Sequence, residues 1–275
     1  MTNISLDINT DLARQILTQF LREEITRTGL SRAVVGLSGG IDSALACCLA
    51  AEALGPHNVL AVCMPYRTSA AESLEHAQLL IAQLGVPSLT VPITDMAEPL
   101  LNRFPDMSNL RRGNIMARLR MIVLYDQSAA FGGLVVGTGN KTEIMLGYST
   151  LFGDSAHALN PLGDLYKTQV RQLARALGVP APILDKAPSA DLWPGQTDEA
   201  EMGLTYARAD QLLYLLVDQR YKPEECVAAG FDAGFVRTVV DRLRRNHFKR
   251  VMPLVAKLSN RTVGYDFLYL RDWGT

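Results

Sequence analysis

The sequence predicts an α/β fold in which a parallel sheet is covered by helices on both faces and is followed by a helical C-terminal part. Three observations predict it. Short β-branched runs alternate with helical stretches between residues 33 and 140, two of those runs end in glycines, and the pattern after residue 200 is helical. Strands that alternate with helices at this spacing are joined by crossovers, which makes them parallel and buries both faces of the sheet.

The first stretch, "MTNISLDINTDLARQILTQFLREEIT", has early acids and apolar residues at helical spacing (Leu12, Ile16, Phe20), which predicts a helix. A secretory signal would instead start basic and continue apolar. "AVVGL" (33–37) reads as a strand, and "DSALACCLAAEALG" (42–55) is helical and nearly all apolar, so that helix is expected to be buried. "VLAVCMPY" (59–66) is the second strand, and residues 69–85 form a helix ending at Gly85, where a left-handed cap fits. "SLTVPI" (88–93) is the third strand, 109–131 a longer helix, and "GLVVGTGN" (133–140) a strand running into glycine and asparagine. No linker or repeat interrupts the chain, which is expected to form one domain over 1–275; "RTVGYDFLYLRDWGT" (261–275) follows neither period.

Composition narrows the setting. Hydrophobic residues make up 48% and charged residues 20%, with no apolar run near the roughly 18 residues of a membrane span. Cys47, Cys48, Cys63 and Cys226 show no C-x-x-C spacing and sit mostly in apolar stretches, which suits buried thiols in a cytoplasmic protein. With 27 basic and 28 acidic residues the net charge is −1, so no bias toward nucleic acid is expected. The basic segment "RTVVDRLRRNHFKR" (237–250) reads on its own as a solvated helix face.

In a sheet of this kind ligands bind beyond the carboxyl ends of the strands, where strand order reverses. The glycine turns after "VVGLSGG" and "VVGTGN" are therefore nominated as walls of one site. "GLSGGIDS" (36–43) is neither a Walker A loop nor a G-x-G-x-x-G loop. It places Ser38, Gly39, Gly40 and Ser43 around a helix N-terminus, whose backbone N–H groups and dipole suit an anion. Asp42 would repel a phosphate unless a cation lay between them, so it reads as a Mg2+ ligand. Taken alone, the loop also fits a tight turn with Asp42 or Ser38 as the N-cap.

S-G-G-x-D-S directly after a strand resembles the ATP pyrophosphatases, with their Rossmann-like, adenine nucleotide alpha-hydrolase-like fold. That resemblance implies an ATP-binding loop of Gly36, Leu37, Ser38, Gly39, Gly40, Ile41, Asp42 and Ser43, and cleavage between the α and β phosphates to leave an adenylated substrate. "GNIMARLRMIVLY" (113–125), "GTGNKTEIMLGYSTLFGD" (137–154), "NPLGDLYKTQVRQLA" (160–174) and "KAPSADLWPGQTDEAEMGLTY" (186–206) together resemble the ammonia-dependent NAD synthetases over most of residues 30–253. The implied reaction is ATP-dependent amidation of nicotinic acid adenine dinucleotide (deamido-NAD) with ammonia, through an acyl-adenylate, releasing AMP and pyrophosphate. The family also implies a homodimer, with the 109–131 helix and the C-terminal segment as candidate interface.

Site roles follow residue by residue from the same resemblance. Asp42 and Glu143 hold Mg2+, and Lys167 binds ATP phosphates and completes the catalytic set. Thr138 and Ser189 meet the nucleotide, while Arg118 and Lys249 meet the dinucleotide substrate. Read alone, Glu143 is a first-turn helix acid, Ser189 a loop residue, and Arg118, on a stripe with Met121 and Tyr125, a charge that either snorkels or meets an anion. His57, His76, His157 and His247 are scattered and receive no catalytic role.

The chain departs from the family in its acceptor half. Where ammonia-dependent members commonly read "TKYGDGGxD", this chain reads "TLFGDSAHA" (150–158), so the substrate-binding lysine and aspartate become Leu151 and Ala158. Phe248 stands in the place of a family histidine, either to stack on a base or to pack in the core. A mononucleotide acceptor is one alternative that follows; a pyrophosphatase acting on tRNA, motivated by the basic segment, is another. Some thirty residues precede the loop, so free ammonia or a separate ammonia-supplying partner is expected.

Overall fold

The computed structural model describes residues 4–189, 191, 193, 195 and 197–267. Its sheet has four parallel strands, β1 (Ala33–Gly36), β2 (Val59–Cys63), β3 (Ser88–Thr90) and β4 (Leu134–Val136), in the order β3-β2-β1-β4. Ala33 pairs with Val59 on one side and with Leu134 on the other. The chain steps outward from β1 to β3 and then returns to lay β4 on the far side of β1. Strand order therefore reverses between β1 and β4, as the two glycine turns required.

The helices that cover the sheet are α1 (Thr10–Arg27), α2 (Ile41–Leu54), α3 (Ala71–Leu84), α4 (Thr94–Arg103), α5 (Asn109–Phe131), α6 (Lys141–Leu146), α7 (Lys167–Ala176) and α8 (Ala181–Asp185). Side chains along β1 alternate between the faces, as the strand period of two demands. Ala33 and Val35 join the core beneath α1, α2, α3, α7 and α8, whereas Val34 joins Ile93, Leu101, Met116 and Val123 beneath α4 and α5. The predicted burial of α2 holds: Ala44, Ala46, Cys47, Leu49 and Ala50 are buried, and their small size lets α1 and α7 pack closely against it.

The structure adds which face of α1 turns inward, and it shortens the third strand. In α1 the inward residues are Leu21 and Ile25, with Ala13, Leu17 and Phe20 partly covered, while Leu12 and Ile16 stand 53% and 56% exposed. The inward stripe therefore runs one position later than Leu12 and Ile16. The third strand stops at Thr90, and α4 occupies a stretch left unassigned; Pro99 lies inside it. Gly85 does cap α3 in the left-handed conformation, with φ +67°.

Beyond α8 the chain forms α9 (Asp198–Met202), α10 (Tyr206–Leu213), α11 (Pro223–Ala228) and α12 (Ala233–Arg245). With α6 they bury a further cluster that includes Leu146, Met202, Tyr206, Leu212, Leu213 and Val239. This is the helical C-terminal part, and it brings α10 against α6 and α7. After residue 260 the described residues form a short turn closed by Lys257 and Asp266, and 268–275 lie outside them.

Candidate active site

Leu37 continues the β1 ladder by donating to Val62 O, and the chain then turns through Ser38, Gly39 and Gly40 into α2. Gly39 has φ +78°, and a Cβ there would lie 2.0 Å from the Ser73 carbonyl oxygen. Only glycine fits, on conformational and steric grounds together. Ser43 Oγ donates to Gly40 O at 2.9 Å, accepts from Ser38 N at 3.2 Å and lies 3.0 Å from Ser38 Oγ. The two serines thus tie the turn to itself. Gly40 is the N-cap and supplies no side chain, so neither Asp42 nor Ser38 serves as the cap. Leu37 and Ile41 are buried in the core; they offer a ligand only their backbone, as Gly36, Gly39 and Gly40 do.

The second wall is the turn after β4. Thr138 stands half-buried just beyond that strand, and Asn140 caps α6. Asn140 Oδ1 accepts from Glu143 N at 3.0 Å, and Glu143 Oε2 accepts from Asn140 N at 3.2 Å, which closes a capping box. The box turns the Glu143 carboxylate back toward the crevice. Asn140 Nδ2 donates to Asp42 Oδ1 at 2.8 Å, so one asparagine joins the two walls.

Lys167, the first residue of α7, is 2% exposed and reaches into this space. Its ammonium donates to Asp42 Oδ2, and to Glu143 Oε1 at 3.2 Å. Burial would lower its pKa, but the Asp42 and Glu143 carboxylates outweigh that and hold it above the ordinary lysine range. Burial pushes the Glu143 carboxyl up; Lys167 opposes the rise, and Asp42 and Asp198 add to it. Tyr206 completes the enclosure: its hydroxyl donates to Asp198 Oδ2 at 3.0 Å and lies 3.4 Å from Glu143 Oε1, and its ring faces the Lys167 ammonium at 5.0 Å.

The remaining predicted residues frame this centre. Ser189 Oγ accepts from Asp191 N at 3.0 Å. Asp191 in turn accepts from Ala70 N and, at 2.9 Å, from Ser73 Oγ, so the Ser189 segment lies against the residue that crowds Gly39. On the other side Arg118 Nη2 donates to Leu151 O at 3.2 Å. Lys249 Nζ donates to Gly147 O at 2.7 Å and Ser149 O at 2.6 Å. Both cations hold the backbone of the loop that contains Leu151. Phe248 is 57% exposed and so is not the packed core residue that one reading allowed. Within the basic segment Arg242, Lys249 and Arg250 donate to backbone carbonyls, which makes it more than a solvated face.

Sequence reasoning missed Asn140, Asp198, Tyr206 and Asp210 as parts of the site. Asn140 was readable, since N-x-x-E at 140–143 is a capping-box spelling. The other three lie on α9 and α10 and are brought in only by the packing of the C-terminal part. Among the described residues no group of three or more His, Cys, Asp and Glu side chains is arranged to hold a metal; Asp42 and Glu143 are a pair. No helix among them is long and apolar enough to cross a membrane.

The NAD synthase family profile matches residues 13–253. The NH(3)-dependent NAD(+) synthetase of Trichlorobacter lovleyi is 58% identical over 269 residues, 98% of each chain. Among solved structures, the NMN synthetase of Francisella tularensis superposes with a TM-score of 0.82 at 34% identity, covering 92% of this chain and all of that one. The NH3-dependent NAD synthetase of Campylobacter jejuni, in complex with the nitrate ion, superposes at 0.78 and 30% identity, covering 91% and 100%.

Proposed function

The chain belongs to the NAD synthase family of amide-forming ligases, and we propose from that premise that it amidates deamido-NAD with ammonia, consuming ATP and releasing NAD, AMP and pyrophosphate. The observation that carries this reading is the meeting of Asp42, Glu143 and Lys167 between the turns after β1 and β4. A carboxylate resists ammonia because its oxygen is a poor leaving group. In the first step an oxygen of the acceptor carboxylate bonds to the α phosphorus and pyrophosphate departs. The backbone N–H groups of the Ser38–Gly40 turn and the start of α2 stabilise its charge. In the second step the ammonia nitrogen bonds to the acyl carbon, AMP leaves, and the nitrogen gives up a proton. Positioning and electrostatics suffice, with no enzyme nucleophile.

Asp42 and Glu143 fit a divalent cation: they are two carboxylates on facing turns, and Mg2+ takes few protein carboxylates and fills its other positions with phosphate oxygens and water. Held there, Mg2+ would neutralise phosphate charge. Lys167, already between the two carboxylates, supplies positive charge on the same side. A homodimer accords with Leu110, Ile122 and Tyr125, which stand exposed along α5. A cytoplasmic setting accords with four free, buried thiols.

Two observations favour a second acceptor. Leu151 and Ala158 replace the lysine and aspartate common in the family, and the Francisella tularensis neighbour is an NMN synthetase. Turnover with ATP, Mg2+ and ammonium, run separately with deamido-NAD and with nicotinate mononucleotide, tests both readings. Larger kcat/KM on deamido-NAD with AMP as co-product supports the first, preference for the mononucleotide supports the second, and ADP as the product refutes both.

A further inference from the structure

Arg120 is used by neither the sequence reading nor the chemistry above. It lies on α5, and its Nε donates to Met64 O at 3.0 Å, just beyond the carboxyl end of β2. A Cβ on Gly36, the last residue of β1, would lie 3.3 Å from Met64 Cε and 3.2 Å from Leu124 Cδ1, one helical turn after Arg120. Arg120 therefore stands over the mouth of the sheet beside the start of the Ser38–Gly40 turn. Among the described residues its Nη1 and Nη2 groups make no hydrogen bond or ion pair, and neither is sealed off as a buried orphan. The charges of Asp191 and Asp154 reach it without contact.

The neighbouring cations are otherwise engaged. Lys167, on the α7 side, faces two carboxylates; Lys186 pairs with Glu72; Arg118 and Lys249 hold carbonyls. The α5 side of the sheet mouth thus presents a guanidinium anchored by one N–H, with its two terminal nitrogens unspent among the described residues. That geometry suits two oxygens of a phosphate.

We propose that Arg120 is a substrate-binding residue for the adenylyl phosphate, its Nη groups holding the non-bridging α-phosphate oxygens of ATP, of the acyl-adenylate and of AMP. The pyrophosphate then lies on the Lys167 side and the phosphorus that stays with adenosine on the α5 side, next to Arg118 and the acceptor loop. The inference rests on the reading that this site splits ATP to AMP and pyrophosphate.

Product inhibition of the full-length enzyme separates this role from that of a strut for Met64. Arg120→Lys keeps a cation, on a single donor nitrogen, but loses the fork, and Arg120→Gln loses the charge. Both are expected to weaken inhibition by AMP about tenfold or more, the size of a charge-assisted hydrogen bond, while inhibition by pyrophosphate stays within about twofold. AMP inhibition that is absent in the wild type or unchanged in the variants overturns the proposal, as do AMP and pyrophosphate inhibition falling together. Arg120→Lys serves alone if Arg120→Gln fails to fold. A wild-type enzyme that releases no AMP overturns the functional reading itself, whereas normal wild-type turnover with unaltered variants overturns only the role of Arg120.

Discussion

Asp210 offers the sharpest test of how the two ends of the site are held together. It is fully buried on α10 and touches both neighbouring helices: Oδ1 accepts from Thr142 Oγ1 at 2.6 Å and Oδ2 from Thr168 N at 2.8 Å. Thr142 Oγ1 also accepts from Lys167 N at 3.0 Å. Thr142 precedes Glu143, and Thr168 follows Lys167, so one carboxylate sets the relative position of both. Asp210→Asn exchanges one heavy atom, an oxygen for an NH2, and removes the ionisable group. If the amide nitrogen replaces Oδ2, it meets the Thr168 N–H donor to donor. If the amide turns over, its nitrogen donates to Thr142 Oγ1 and the threonine proton loses its acceptor. Either way one buried donor goes unpaired, which costs about 1–3 kcal/mol. In a chain of this size that lowers the thermal midpoint by roughly 2–10 °C. Because Glu143 and Lys167 shift together, kcat is expected to fall about tenfold or more. A thermal scan and initial rates on the purified variant read both quantities. A midpoint within about 1 °C of wild type with unchanged kcat would refute the reasoning, since it would mean that the Thr142–Asp210–Thr168 bridge does not position the site.

Other perturbations follow from the same geometry. Gly39→Ala puts a β-carbon 2.0 Å from Ser73 O at φ +78°; the left-handed penalty and the overlap together cost about 2–5 kcal/mol, and urea unfolding should show it alongside loss of ATP binding. Cys48 and Cys63 are buried, with thiols pushed up to about 11 by burial. Iodoacetamide at pH 8 should therefore label them only after denaturant is added, and rapid labelling of native protein would contradict the packing. Lys249→Met removes the ammonium from Gly147 O and Ser149 O, so KM for the acceptor should rise about tenfold while KM for ATP holds. Equal changes in both would place Lys249 outside the acceptor half.

What could be read in the sequence was whatever depends on neighbours along the chain. Strand β1, helix α2, the Gly85 cap and the Ser-Gly-Gly turn are local matters of period and glycine, and they stand in the structure where the sequence put them. The switch point was legible too, because two glycine-ended strands nominate it without any knowledge of strand order. The helix α1 was legible from its period, but not which face turns inward, because Leu12 and Ile16 match a helical period as well as Ala13, Leu17, Leu21 and Ile25 do; only the position of α2 and α7 decides it. Asp198, Tyr206 and Asp210 had no local signal. Their place depends on how α9 and α10 pack against α6 and α7, and no spacing within 198–210 encodes that contact.

The absence of a lysine from the turn after β1 has the same kind of answer. Residues 36–43 contain no cation, yet the ammonium of Lys167 donates to Asp42 across a separation of 125 positions. A lysine carried within the turn would sit over the phosphates farthest along the nucleotide and move with the turn. A lysine at the start of α7 is fixed instead by the helix and by Lys167 N donating to Thr142 Oγ1, independently of the glycines. Its ammonium lies between two carboxylates that would otherwise repel each other in a half-dry crevice, which is why a buried lysine and two half-buried carboxylates can sit together there. Supplying the cation from a separate helix leaves the turn free to be all backbone. That is the form in which glycine and serine N–H groups stay open toward an anion without any side chain having to move aside.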